Sequence, residues 1–349
     1  MKKILHINSN KNWRGAEIQL HQIIQQASKN YQHYLFCVKD SILYQKNKNA
    51  HTFGYTKRMA VDIIAAFQLK NFTKQHQIDL IHLHDSHAIN TYYLARCFGM
   101  KTNAIIHKHT HFPIKNKWKY THESIQQIIC LTNTSKQQFA SFISEHKISV
   151  LAPGIDISKF KIKKDDLKLA LNIAENAIII GIIAALEPEK NVETFLKIGQ
   201  QLIQQHANYH FIIIGNGSLK TSLQTAYKNE HIHFLGYRED IPSLLKNMDV
   251  FLFTSNIEGF GQVIVEAMAS KTIVVCNNFD AAKDIIQHEQ TGYIFTSIQQ
   301  AVESIEHIIN NTTYKTAIEE NAYNYVQQYD VHLMYQKLEA IYSSILNKT

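Results

Sequence analysis

Four prolines and twelve glycines are few for 349 residues. With no stretch rich in Pro, Gly and Ser, the sequence offers no flexible linker and no low-complexity segment. A largely disordered chain is thereby excluded, in line with 45% hydrophobic against 19% charged residues. The longest strongly apolar run, from Ala177 to Leu186, is about ten residues, far short of the ~20 that span a bilayer, so it reads as a core strand. The four cysteines, Cys37, Cys97, Cys130 and Cys276, lie far apart without any Cys-x-x-Cys spacing, and read as reduced thiols, three of them in apolar strand-like runs. No run of five or six basic residues occurs, and no nucleic-acid partner is expected. The first residues alternate apolar and polar instead of forming the apolar core of a signal peptide, so a cytoplasmic protein is expected.

What is present is a repeating alternation of strand and helix. The length leaves room for two domains that each bury a core. In the second half, apolar runs at 178–186, 209–215, 233–236 and 250–253 alternate with helical stretches at 191–205, 218–227 and 241–247, as parallel βαβ units do. In the first half, strands are expected at 3–8, 34–38, 103–109 and 128–131, and helices at 18–27, 62–75 and 137–143, with an irregular basic segment over 40–59. Helices at 297–310, 316–328 and 332–346 close the chain. The net charge of +7, mostly lysine, suits an anionic membrane surface as well as a plain solvated one.

The stretch from Ser255 to Ser270 organises the second half. An apolar strand runs into a turn holding Gly259 and Gly261 and then into a helix. The glycines let the backbone approach a ligand where helix N–H groups are free, a natural seat for a diphosphate. Glu258 and Glu266 bracket the turn, the first expected at the helix mouth and the second about 9 Å further along the axis. Each carboxylate can accept two hydrogen bonds, so one end suits a sugar and the other a ribose; an isolated pair would read equally well as two surface glutamates.

Histidines gather in the first half, at His82, His84 and His87 around Asp85 and at His107, His109 and His111. The last three would share one face of an extended chain and border a cleft, because a polar face of this kind is costly to bury. The His-x-His-x-Asp-His order of binuclear hydrolases is not met, since Asp85 precedes Ser86, and no metal site is expected.

Glu258-Gly-Phe-Gly, four further residues, then Glu266-Ala-Met-Ala-Ser, with the apolar strands on either side, resembles the Glu-x7-Glu signature of retaining, family-4 glycosyltransferases (glycosyl transferases group 1). The resemblance implies an α/β chain of GT-B fold, two Rossmann-like domains with parallel sheets facing a central cleft. Pro153-Gly154-Ile155-Asp156 with Phe160 is similar to the family's domain-junction marker. It implies an acceptor-side domain over 1–158, a donor domain over 159–330 and a helix over 331–349 that crosses back. Trp13-Arg14-Gly15-Ala16-Glu17 resembles the loop that faces the donor phosphates, and Gly215-Asn216-Gly217 the Gly-x-Gly turn of the donor domain. The segment from Ala185 to Lys190 resembles the family's Gly-Arg-Leu-x-x-x-Lys-Gly loop with Ala185 in the arginine's place. A bidentate contact to the diphosphate, worth ~1.5–3 kcal/mol, is thereby lost, leaving Lys190, the helix start or Arg14 to replace it. Over 277–284 the family's paired glycines are also missing. At the tip of the strand ending near 109, His109 matches a histidine that contacts donor sugar or acceptor in relatives, with Lys108–His109 as an alternative mapping onto a basic pair.

The implied function is transfer of a sugar, with retention, from a UDP-, GDP- or ADP-linked donor to the hydroxyl of a glycan or lipid-linked acceptor, in lipopolysaccharide or other envelope glycan synthesis. Glu258, His109 and Lys190 are the implied catalytic residues. Gly15, Arg14, Gly215, Tyr237, Gly259, Phe260, Gly261 and Glu266 are the implied donor-binding ones. No metal and no cofactor are expected, since the resembling enzymes neutralise the leaving diphosphate with helix dipole, backbone N–H groups and basic side chains, and no Asp-x-Asp motif is present. Trp118 and Tyr120, in a lysine-bearing loop, are compatible with a lipid acceptor at the inner membrane face. Ala185 and the missing glycines motivate the alternative of a catalytically weakened nucleotide-sugar-binding or scaffold subunit.

Overall fold

In the computed structural model, residues 1–26, 28–48, 51–59, 62–110, 112–162 and 167–347 are described. Among these residues thirteen strands form where short apolar runs are bounded by polar turns: β1 (Lys2–Asn8), β2 (Tyr31–Val38), β3 (Thr52–Tyr55), β4 (Leu80–Leu83), β5 (Ala104–Lys108), β6 (Ile125–Cys130), β7 (Ile148–Val150), β8 (Ile178–Ile183), β9 (Tyr209–Ile214), β10 (Ile232–Gly236), β11 (Val250–Phe253), β12 (Ile273–Asn277) and β13 (Tyr293–Phe295). They make two sheets, ordered β3-β2-β1-β4-β5-β6-β7 and β10-β9-β8-β11-β12-β13. Every pairing is parallel. Parallel strands bury both faces beneath crossover helices, which is why β11, Val-Phe-Leu-Phe, carries no polar alternation.

The chain divides into two Rossmann-like units, one of residues 1–154 with 331–349 and the other of residues 155–330. The changeover falls between Gly154 and Ile155, slightly ahead of the expected 158/159. In the second unit the helix Val192–Gln205 shows how a crossover is held: Val192, Phe195, Leu196, Gly199 and Leu202 are buried, one stripe at helical spacing, and Phe195 meets Phe211 of β9 edge to face at 5.6 Å. In the first unit the helix Val331–Leu346 lies on the sheet, its Met334, Tyr335, Leu338 and Tyr342 sharing an apolar cluster with Ile4, Leu80 and Ile105 of β1, β4 and β5.

Three expectations change in the first unit. The first helix, Gly15–Gln25, begins inside the supposed loop, because the buried Glu17 accepts the Arg14 N–H at 3.2 Å and closes the first turn early. Its expected last residue, Ala27, lies outside the described residues. The described part of 40–59 holds two elements where an irregular segment was expected: Ser41 caps a helix over Ile42–Lys46, and β3 follows with Phe53 stacked on Phe36 at 5.2 Å. The helix expected over 137–143 is instead Asn133–Gln137, started by Thr132, whose hydroxyl accepts the Ser135 N–H at 3.0 Å.

Candidate functional site

Each sheet reverses its strand order once, between β1 and β4 and between β8 and β11. Loops leaving the carboxyl ends of such strands diverge, and the crevice between them is where open α/β sheets bind ligands. In the second unit those loops are 184–191 and 254–261, which carry Lys190, Glu258, Gly259, Phe260 and Gly261.

The two loops are laced together. Asn256 N–H donates to Glu189 O at 3.1 Å, and Thr254 Oγ1 to Lys190 O at 3.2 Å. Across the top, Lys190 Nζ donates to Glu258 Oε1 at 2.5 Å, with both side chains largely shielded, 23% and 17% exposed. A partly shielded pair of this kind holds both groups in fixed places while leaving each able to turn to a ligand. The loop after β12 joins the same mesh through Asn277 Nδ2, which donates to Asn256 Oδ1 at 3.0 Å.

Gly215 and Gly217 act on this region from below. A Cβ at Gly215 would stand 1.9 Å from Ala184 O, and one at Gly217 2.4 Å from Leu186 O. Only glycine lets the turn after β9 lie against the loop after β8, where Leu186 N–H donates to Asn216 O at 3.0 Å. Ala185 is exposed on that loop. Tyr237, just past β10, is 66% exposed.

Gly261 caps the helix Gln262–Ala269 with a left-handed backbone, φ +85°. The helix therefore starts four residues after Glu258, which stands on the preceding loop and not at the helix mouth. Glu266 is the fifth helical residue, about 6 Å along the axis from Gln262. Phe260 is buried with its ring edge-on to Tyr329 at 5.5 Å, so it anchors the turn. Burial pushes the Glu266 carboxyl up to about 7, opposed by a hydrogen bond from Gln262 Nε2 at 3.3 Å and by the charge of Lys159. A carboxylate short of donors at neutral pH is suited to receiving hydroxyl groups.

In the first unit, Gly15 and Arg14 are exposed at the start of the helix Gly15–Gln25. Asp85 serves as a helix cap: its carboxylate accepts from His87 N–H and Ala88 N–H at 2.9 Å each, and from Ser9 N–H at 2.6 Å and Ser9 Oγ at 2.5 Å. These bonds tie the carboxyl end of β1 to that of β4. His33 of β2, His6 of β1, His82 of β4 and His107 of β5, with His84 and His109 just beyond their strands, form a histidine cluster in which His33 and His109 are half-buried and the other four buried. His111 lies outside the described residues. Burial lowers all six pKa values, His33 to about 4 and His109 to about 3, and neighbouring rings add to the effect at His6, His82, His84 and His107. Tyr342 Oη lies 2.8 Å from His82 Nδ1, whereas His82 Nε2 and both His107 nitrogens are buried without a hydrogen-bond partner. Two trios, His6/His82/His84 and His84/His107/His109, each bring three ring nitrogens within 4.8 Å of one another.

The structure thus joins Lys190 to Glu258, sets Gly215 beneath their loops, and puts Glu266 on the helix that follows. Arg14, Gly15 and His109 belong to the other unit. Sequence reasoning missed Asn256 and Asn277, whose side chains join two loops, and Gln262, whose spacing of four from Glu266 on one helix face was the signal available.

A model described as glycosyl transferases group 1 matches residues 163–325, and one described as glycosyltransferase family 4 matches residues 13–159. Among curated relatives, the chain is 26% identical over 258 residues to the UDP-Gal:alpha-D-GlcNAc-diphosphoundecaprenol alpha-1,3-galactosyltransferase of Escherichia coli, covering 67% of this chain and 66% of that one. It is 24% identical over 240 residues to the capsular polysaccharide biosynthesis glycosyltransferase CapM of Staphylococcus aureus, covering 65% of this chain and 61% of the relative. The matches thus take in somewhat less than two thirds of these relatives' length. Among solved structures, a glycosyltransferase from Rickettsia africae superposes with a TM-score of 0.88 at 18% identity, covering 100% of this chain and 99% of the other. Anabaena HepE in complex with UDP and glucose gives 0.83 at 21%, covering 99% and 100%. Since the two family models together run through both units, the chain belongs to the group 1 glycosyltransferases and has their GT-B fold.

Proposed function

We propose that this chain is a retaining glycosyltransferase that moves a sugar from a nucleotide-sugar donor to the hydroxyl of a glycan or lipid-linked acceptor, in lipopolysaccharide or other envelope glycan synthesis. The observation that carries the reading is the shielded Lys190–Glu258 pair at the carboxyl ends of β8 and β11, next to the glycine turn and the helix bearing Glu266. In this reading Glu266 grips the ribose, the Gly259–Gly261 turn and Lys190 neutralise the diphosphate, and Glu258 holds the sugar hydroxyls. Arg14, Gly15 and His109, in the first unit, keep the roles that the family resemblance implies for them, the first two toward the donor phosphates and His109 toward donor sugar or acceptor. Neutralisation by N–H groups and an ammonium makes a divalent metal unnecessary, and no cofactor enters besides the donor itself. The departing phosphate oxygen takes the acceptor proton on the face it leaves, which retains configuration.

An anionic lipid surface is the proposed setting, at the cytoplasmic face of the membrane. No helix among the described residues is long and apolar enough to cross a membrane. Ile63, Ile64 and Phe67, at the start of the helix Ile63–His76, are however 61%, 49% and 50% exposed. Lys57, Arg58, Lys70 and Lys74 flank them, an apolar and basic combination suited to anionic headgroups. Trp118 is likewise exposed, whereas Tyr120 turns inward against Phe139 at 5.1 Å.

The deciding experiment is a thermal-shift screen of UDP-, GDP- and ADP-sugars, since a ligand that binds the native state raises Tm. It is followed by NMR of the anomeric linkage made from the donor that binds, with EDTA-treated protein. An inverted product overturns retention. Transfer that disappears with EDTA and returns with Mg²⁺ or Mn²⁺ overturns the metal-free diphosphate site.

A further inference from the structure

Four histidines are joined end to end, His6 and His84 buried and His33 and His109 half-buried at the ends of the row. Tyr335 Oη lies 2.6 Å from His33 Nε2, and His33 Nδ1 lies 2.8 Å from His6 Nε2. His6 Nδ1 is 3.0 Å from His84 Nε2, and His84 Nδ1 is 3.0 Å from His109 Nε2. Every histidine–histidine link thus joins the Nδ1 of one ring to the Nε2 of the next. A neutral imidazole has one N–H and one lone pair, so such a row is satisfied in two ways only, with every proton on Nδ1 or every proton on Nε2. Any mixture sets two N–H groups or two lone pairs against each other, at greatest cost across the fully buried His6–His84 link.

Tyr335 breaks the tie. A phenol O–H is a stronger acid than a neutral imidazole N–H, so across the short first link the phenol donates and His33 Nε2 accepts. The proton of His33 then sits on Nδ1, and the same choice passes along the row. His109 Nε2 accepts from His84, and the His109 proton is left on Nδ1, which makes no hydrogen bond among the described residues. We propose that this row, polarised by Tyr335 of the helix Val331–Leu346, fixes His109 as a neutral donor through its Nδ1–H. His109 then offers a hydrogen bond to an oxygen of the bound donor or acceptor and has no lone pair with which to act as a base. Tyr335, His33, His6 and His84 are its positioning residues. The role toward substrate rests on the reading of His109 given under the proposed function; the direction of the row does not. An added proton would make one ring a donor at both ends and break a link, so the burial that keeps these rings neutral also keeps the row whole.

Nitrogen-15 NMR of the imidazole rings tests the direction without reference to activity. In the wild-type chain His33, His6, His84 and His109 should all show the Nδ1–H form, the minor one for a free histidine. Tyr335→Phe removes the polarising hydroxyl and should turn His109 into a mixture of tautomers. Tyr342→Phe, on the same helix but bonded to His82 outside the row, should leave all four unchanged. An Nε2–H signal from His109 in the wild type, unaltered tautomers in Tyr335→Phe, or stoichiometric zinc bound through these rings overturns the proposal. Should Tyr335→Phe fail to fold, the wild-type spectrum alone decides the direction. In the transfer assay Tyr335→Phe should lower kcat several-fold. An unchanged kcat beside shifted tautomers overturns the substrate contact of His109 and leaves the row standing.

Discussion

Lys190 and Glu258 are 68 positions apart in sequence and 2.5 Å apart in space, which shows what a linear reading can and cannot reach. Each residue was legible by itself through the family resemblance, Glu258 in the Glu-x7-Glu signature and Lys190 in the loop over 185–190. Their contact was not, because it depends on which strands become neighbours, and β8 is joined to β11 only after two intervening strands have gone to its other side. Lys190→Ala should lower turnover at saturating donor by at least about tenfold, since a charge-assisted hydrogen bond to the leaving phosphate is worth ~1.5–3 kcal/mol; a silent variant would move the phosphate contact elsewhere. Glu266→Ala should weaken binding of the free nucleoside diphosphate, whereas Glu258→Ala should spare it and abolish transfer. Calorimetry on both, with equal losses of affinity, would contradict these separate roles. Glu266 also carries a pH signature. Burial pushes its carboxyl up to about 7, and ribose hydroxyls donate to the ionised form, so binding expels a proton and affinity should rise as pH passes upward through that value. Glu266→Gln should flatten the rise relative to wild type.

At the scale of elements, the strands of the second unit were the most legible feature and the short pieces of the first unit the least. β8 and β11 are continuous apolar runs with polar turns at both ends, and β9 is one interrupted only by His210. β3 and β7 are four and three residues long and sit at the sheet edges, where pairing with a neighbour, rather than their own pattern, makes them strands. The histidines of β1, β2, β4 and β5 belong to this scale, since no sequence spacing announces that four separate strands bring their rings to one face. They also make acid stability a property of the sheet. An unfolded histidine takes up a proton near pH 6.5, but these six are held neutral to well below it. The unfolded chain therefore binds more protons, and stability present above pH 6.5 is lost as pH falls toward the folded values, at about 1.4 kcal/mol per pH unit for each ring that stays neutral. Chemical denaturation followed from pH 7 to pH 5 should show this steep loss. A flat profile would mean that the rings are already solvated or protonated in the native state.

At the scale of the whole molecule, the order of elements along the chain is not the order of the units. The chain leaves the first unit at Gly154 and re-enters it at Val331, and the two crossings are stitched by a bridge between Ile155 and Asp330. A Cβ on Gly154 would stand 2.7 Å from Val331 Cα, so the outgoing and returning segments touch. Removal of residues 331–349 should cost the first unit its cover over Ile4, Leu80 and Ile105 and the hydroxyls bonded to His33 and His82. That chain should melt in two steps or aggregate, while 155–330 keeps its protection in hydrogen exchange. The same routing sets an order of manufacture. A ribosome delivers residues 1–154 before 155–330, yet their sheet lacks its closing helix until 331–346 have been made, whereas everything that 155–330 needs has by then emerged. The half-made protein therefore passes through a stage in which the later unit is finished and the earlier one stands open, its histidine row wet. Proteolysis of nascent chains stalled shortly before the closing helix emerges should find the middle of the polypeptide resistant and its beginning still cut.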